Sequence, residues 1–330
     1  MYPKIELHVH LEGAIRPRTL LELAQRNRLS LPAETEQGLA ELYRFRDFAH
    51  FIEVWILTTN VLRHAADFQQ ITVEYAKEAA AHGAVYVEAI FSPIERTWRG
   101  VDWDEIFAGY CDGAQEATEL HGIEVRLTPD ITRASSVEDA ELAVDYAMKY
   151  RERGVIAIGL GGEEALYPPE QFASAFARAR EGGLASVPHA GEVAGPASIR
   201  GALDALGADR IRHGIRALDD PELVAELAER RIVLDVCPTS NVRTGVVPTL
   251  EDHPLPLLVE AGVLCSVSTD DPAMFDTDLT REYEAARALG VDPHTTYDAA
   301  VTGALCDEET RAKLEATGRA FDWARSSVSP

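Results

Sequence analysis

Lysine is scarce in this chain. Of 31 basic residues only Lys4, Lys77, Lys149 and Lys313 are lysines, and 55 acidic residues leave a net charge of −24. So negative a chain repels phosphate backbones and anionic lipids, which argues against nucleic acid and membrane surfaces as partners. Cysteine is sparse as well. Cys111, Cys237, Cys265 and Cys306 lie far apart and form no CxxC pair, so neither a disulfide framework nor a zinc knuckle is expected, and reduced thiols are. No apolar run reaches the length of a membrane span, and no basic, apolar leader precedes the first strand-like segment. A cytoplasmic enzyme is the expectation. With 330 residues, 46% of them hydrophobic, the chain suits one large α/β barrel or two ordinary domains.

Short β-rich runs alternate with helical stretches. Strands are expected at 4–10, 84–93, 124–132, 155–162, 184–192, 210–214, 231–241 and 263–272. Several are continuous apolar runs, the pattern of parallel strands covered on both faces. Between them, Asp220 before Pro221 reads as an N-cap followed by proline at the first helical position. Ser136 and Asp139 have capping-box spacing, and Gly154 ends that helical stretch. Eight such units predict a (β/α)8 TIM barrel spanning residues 1–330 as a single domain. A doubly wound sheet would need a phosphate-binding glycine fingerprint after an early strand, and "HLEGAI" is not one. Residues 11–83 exceed one barrel helix. Their aromatic stretch, with Phe45, Phe48, Phe51 and Trp55, predicts a helical insert over the barrel mouth, mostly packed and with one or two aromatics lining a pocket. The last stretch, "RSSVSP", reads as a frayed tail.

The strand ends carry the chemistry. In a strand, residues two apart share a face, so His8 and His10 aim two imidazoles at one place beside Glu12. Alone they fit a structural pair equally well. Yet the later strands end in Gly161-Gly162-Glu163-Glu164, His189-Ala190-Gly191-Glu192, His213-Gly214 and Asp270-Asp271. A barrel brings all of these to one mouth, where histidines and carboxylates from several strands can form a catalytic metal site. No lysine stands at a strand end near that mouth, so a carboxylated-lysine bridge between two metals is not expected, and a single metal is. "CPTSN" has no second cysteine, which excludes the PCxxC zinc site of cytidine deaminases.

The motifs "ELHVHLEGA", "GLGGEE", "PHAGE", "RIRHG", "CPTSN" and "STDDP", in this order between residues 4 and about 275, resemble the adenosine deaminases and their relatives in the amidohydrolase superfamily. The resemblance implies one zinc per subunit, held by His8, His10, His189 and Asp270, with a water as the further ligand. It makes Glu192 the proton donor to purine N1 and His213 the residue that accepts or steers the water's proton. It also has Gly162 offering its backbone N–H to N3 and a protonated Asp271 donating to N7. The partner implied is a small-molecule purine nucleoside.

Two departures concern the sugar end. Glu12 stands where many adenosine deaminases have an aspartate that holds the 5′-hydroxyl, and "GLGGEE" replaces the more usual "LAGDE". The stretches "YRFRDFAHFIEVW" and "PHAGEVAGPASIRGALDALGADRIRHGIRAL" are similar to the deaminases of aminodeoxyfutalosine, an adenosine-like intermediate of menaquinone biosynthesis with a benzoate at its 5′ end. That similarity predicts an arginine for the carboxylate, with Arg46 and Arg96 as candidates. Adenosine and methylthioadenosine are expected as secondary substrates. Adenosine deaminase, adenine deaminase and a catalytically inactive nucleoside-binding relative are the competing readings.

Overall fold

The computed structural model describes residues 2–326; the end of the tail expected to fray, residues 327–330, lies outside them. Nine short strands build the barrel: β1 Lys4–His10, β2 Ala84–Phe91, β3 Glu124–Thr132, β4 Ala157–Gly161, β5 Ala185–Ser186, β6 His189–Ala190, β7 Arg210–His213, β8 Val233–Val236 and β9 Leu264–Val267. All neighbouring pairs are parallel and follow chain order, in runs β1 to β5 and β6 to β9. β5 and β6 are one barrel strand interrupted at Val187-Pro188, where proline has no N–H for the ladder. Pairing continues across the break, with Val187 N donating to Ile158 O at 3.0 Å and Pro188 O accepting from Arg212 N at 3.0 Å. The barrel closes where the segment after β9 meets β1: His10 N donates to Asp270 O at 2.7 Å, and Asp270 N to His8 O at 3.0 Å. The eight expected strands are all there. Six of them are shorter than expected, and in "CPTSN" Pro238 opens a helix, Pro238–Arg243, where strand was expected.

Local signals act as their chemistry dictates. Asp220 Oδ1 accepts from the backbone of Glu222 and Leu223, and the helix Pro221–Arg230 buries Leu223, Val224 and Leu227. Ser136 Oγ accepts from Asp139 N, and Gly154 closes that unit with a φ of 101°. The barrel interior is not uniformly apolar. Arg210, Arg212, Glu88, Asp130 and Asp235 are all buried inside it. Arg210 donates to Asp235 at 2.5 Å and Glu88 at 2.7 Å, while Arg212 bonds Asp130 and, at 2.6 Å, Thr128. Buried charges persist when paired and hydrogen-bonded, and these form a rigid floor under the mouth.

Four helices separate β1 from β2: α1 Pro17–Arg26, α2 Glu36–Leu42, α3 Phe48–Thr59 and α4 Ala65–Ala81. Asp47 caps α3, its carboxylate accepting from His50 N at 2.8 Å. Phe51, Val54 and Trp55 of α3 pack with Tyr43, Met274 and Phe275, which ties the helix to the segment just beyond Asp271. No described helix is long and apolar enough to cross a membrane. All four cysteines are free.

Candidate active site

Four side chains from three places in the barrel meet at its mouth. His189 Nε2 lies 3.0 Å from His8 Nε2 and 3.2 Å from His10 Nε2. Asp270 Oδ1 lies 3.3 Å from His8 Nε2 and 3.4 Å from His10 Nε2. The outer ring nitrogens fix what these faces carry. His189 Nδ1 sits 2.9 Å from Leu160 O and 3.3 Å from Asp130, both acceptors, so the proton resides on Nδ1 and Nε2 presents a lone pair. His8 Nδ1 faces Asp235 O at 3.4 Å with the same consequence. Burial pushes His10 down to about 3 and lowers His189, which keeps both imidazoles neutral. Burial works against the Asp270 carboxylate, but His8, His213 and His10 together hold it well below the usual range. Neutral lone pairs and a carboxylate converging at hydrogen-bond distance repel one another unless a cation lies among them, so these donors fit a metal ion; by proximity His213 groups with His8, His189 and Asp270, and His10 with Asp270 and Asp271.

His213 is close to the cluster but plays a different part. Leu255 N can only donate, and it donates to His253 Nδ1 at 3.1 Å. His253 Nε2 therefore carries the proton and donates to Asn241 Oδ1 at 3.1 Å. That turns Asn241 Nδ2 toward His213 Nδ1 at 3.3 Å, and leaves the His213 proton on Nε2. His213 Nε2–H points at Glu192 Oε2, 3.6 Å away, and Asp270 Oδ2, 3.7 Å away. Of the two roles expected for His213, this polarity supports steering by donation over accepting a proton. Both His213 and Asp270 adopt positive φ, 63° and 65°, a conformation costing a non-glycine residue about 1–3 kcal/mol and typical of over-determined functional sites.

The acids beside the cluster are buried and protonation-prone. Burial first, then Asp270 and Glu164, push the Glu192 carboxyl well up, with Arg133 offsetting part of the shift. Asp271 is driven well up by burial and by Asp270 beside it, while Trp55 Nε1 donates to its Oδ1 at 3.0 Å. Both shifts run in the direction a proton donor needs. Gly13 lies so close to Asp271 that any Cβ there would overlap its carboxyl. Gly162 has φ +103°, which a glycine adopts without strain, and it lines the cavity.

Glu164 and the "CPTSN" segment supply positioning that no motif role foretold. Glu164 accepts from four successive backbone donors: Gly191 at 2.5 Å, Glu192 at 3.1 Å, Val193 at 2.8 Å and Ala194 at 2.9 Å. It thereby clamps the turn that carries Glu192. Ser240 Oγ donates to Asp270 Oδ2 at 2.6 Å, and Asn241 orients His213. The only signal in the sequence was that these residues stand in strand-end segments.

A cavity of about 270 Å³ runs outward from the cluster. Its inner end holds His10, His189, Glu192, His213, Asp270 and Asp271, and its outer wall is Phe48, Phe51, Ile52, Trp55, Ile56, Trp98 and Tyr167. The insert thus contributes three aromatics to the wall, more than the one or two expected. Three expected substrate contacts lie elsewhere. Glu12 is buried off the cavity, accepting from Ser92 N at 2.9 Å near Arg96; the longer side chain has found a backbone partner. Arg96 is 1% exposed, with its guanidinium bonded to Thr59 O and Oγ1 and lying over the Trp55 ring at 5.4 Å. Two of its donors hold the end of α3, while its buried Nε has no hydrogen-bond partner. Arg46 is exposed at the start of α3 and does not reach the cavity. Among the described residues no Lys or Arg lines the cavity.

A family model described as Adenosine deaminase matches residues 3–317. An aminodeoxyfutalosine deaminase of Acidothermus cellulolyticus is 53% identical, over 99% of this chain and 94% of its own. Among solved structures, an adenine deaminase of Arthrobacter aurescens superposes with a TM-score of 0.93 at 31% identity, covering 98% of this chain and 100% of that one. An amidohydrolase of Burkhoderia ambifaria with bound Zn does so with a TM-score of 0.88 at 30% identity, covering 98% of this chain and 90% of that one. The chain belongs to the adenosine deaminase family of the amidohydrolase superfamily, and it is an aminohydrolase that deaminates an adenine-containing substrate.

Proposed function

We propose that the protein is a zinc-dependent deaminase of a 6-aminopurine nucleoside with a bulky aromatic 5′ group, with aminodeoxyfutalosine as the substrate. The observation that carries this reading is the apolar outer wall. Phe48, Phe51, Trp55, Trp98 and Tyr167 continue the cavity beyond the space a purine needs, and Trp98 is left 53% exposed at the rim. Exposed aromatics around a concave site mark a surface built to be covered. The 53% identity to an aminodeoxyfutalosine deaminase supports the same substrate.

His8, His10, His189 and Asp270 would hold the zinc, which when bound supplies the Lewis acidity that makes water a nucleophile near neutral pH. His213, donating through Nε2–H, steers the attacking water toward the carbon that carries the amino group. Glu192 protonates ring nitrogen N1, which breaks the ring's aromaticity and makes that carbon electrophilic. Asp271 donates to N7, and the Gly162 N–H meets N3. The new C–O bond forms and the C–N bond breaks; of the water's two protons one goes to the amino group, which leaves as ammonia, and the other returns to the Glu192 carboxylate as the product carbonyl forms.

Deamination of adenine itself is the second reading, and one observation favours it: among the described residues no cation lines the cavity to receive a substrate carboxylate. Ammonia release by zinc-loaded protein from aminodeoxyfutalosine, adenosine, methylthioadenosine and adenine separates the two. The highest kcat/KM is expected on aminodeoxyfutalosine. The highest on adenine would refute the nucleoside reading.

A further inference from the structure

One acid in the cavity has no part in the chemistry above. Glu95 stands on the short helix Pro93–Thr97 after β2 and lines the cavity with Ser92, Trp98 and Thr132. Its Oε2 is buried and has no hydrogen-bond partner. Burial pushes the carboxyl up, and the Arg96 guanidinium and the Thr132 side chain offset this only in part. A buried carboxyl oxygen without a partner is costly, and in a cavity wall the missing partner is a group of the ligand.

The identity of that group follows by elimination. The nucleoside assigned above has its N1, N3 and N7 engaged by Glu192, Gly162 and Asp271, and its amino-bearing carbon lies at the histidine cluster. The aromatic wall offers its 5′ substituent apolar surface. What remains is the sugar's vicinal diol, two O–H donors that a carboxyl can accept. A phosphate is disfavoured there, because Glu95, Glu163 and Glu164 line the cavity and, among the described residues, no Lys or Arg does. We infer that Glu95 receives the 2′- and 3′-hydroxyls of the nucleoside sugar and selects a ribonucleoside over its deoxy analogues. This rests on the nucleoside reading.

The test compares kcat/KM for adenosine, 2′-deoxyadenosine and 3′-deoxyadenosine in zinc-loaded wild type, Glu95→Ala and Glu95→Gln. Wild type is expected to prefer adenosine over at least one deoxy analogue by about ten-fold or more, since a site built to bond a hydroxyl rejects the compound without it. In Glu95→Ala that preference falls below about three-fold through loss on adenosine alone, and Glu95→Gln, which keeps one acceptor, falls between. Each preference is a ratio within one preparation, so a misfolded fraction cancels. A preference that survives in both variants, or is absent from wild type, overturns the inference while leaving nucleoside deamination standing. Wild type that acts on adenine and on no nucleoside overturns both.

Discussion

Replacing Asn241 with aspartate should reverse the proton polarity of His213. In the native chain the amide of Asn241 accepts from His253 Nε2 at 3.1 Å and donates to His213 Nδ1 at 3.3 Å. An ionised aspartate accepts on both sides. His253 is unaffected, because Leu255 N still fixes its tautomer, whereas His213 must move its proton to Nδ1 and present a lone pair at Nε2. The donor facing Glu192 and Asp270 is then gone. Loss of one preorganised donor at a reacting centre costs about 10²–10³ in kcat, or roughly 2.7–4 kcal/mol. Asn241→Leu removes the chain without imposing the opposite tautomer, so it should cost less than Asn241→Asp. Neither change touches a residue of the metal cluster, and metal content should hold in both. Steady-state kcat gives the ranking, and ¹⁵N spectra of histidine-labelled protein read the tautomer directly. Unchanged kcat in Asn241→Asp, or a His213 that keeps its proton on Nε2, would refute the assignment of His213 as a donor.

Glu164→Gln leaves one acceptor oxygen for four backbone donors, stranding Gly191 N–H or its neighbours at about 1–3 kcal/mol and lowering Tm. It also removes a negative charge that, after burial and Asp270, holds the Glu192 pKa up. The proton on Glu192 is then lost at lower pH, so the alkaline limb of the kcat/KM profile should move toward acid; a limb that stays in place rules out Glu164 as a support for the protonated donor. Stripping metal with a chelator should lower Tm and re-addition of zinc should restore it, by roughly 4 kcal/mol when free metal exceeds Kd a thousand-fold. A Tm indifferent to both would show that the cluster of His8, His10, His189 and Asp270 is stable without an ion.

The parts of this site that were legible in the sequence share one physical cause. Side chains two apart in a strand face the same way, and a parallel barrel gathers its strand ends at one mouth whatever their distance in the chain. That suffices to bring His8, His10, His189, Glu192, His213 and Asp270 together without any knowledge of packing. Arg46, Arg96 and Glu12 were misplaced because nothing local decides where a long side chain ends. Thr59 and the Trp55 ring claim Arg96, and Ser92 N claims Glu12 across 80 residues of sequence. The Leu255–His253–Asn241–His213 chain was invisible for the same reason, since its polarity depends on one backbone N–H. The fold therefore divides its labour. The reacting end rests on strand termini over a floor of paired charges, Arg210 with Glu88 and Asp235, and Arg212 with Asp130, where a shift of any member breaks several bonds. The outer wall rests on α3, held by Arg96 and by apolar contact with Phe275, and can be recast without disturbing that floor.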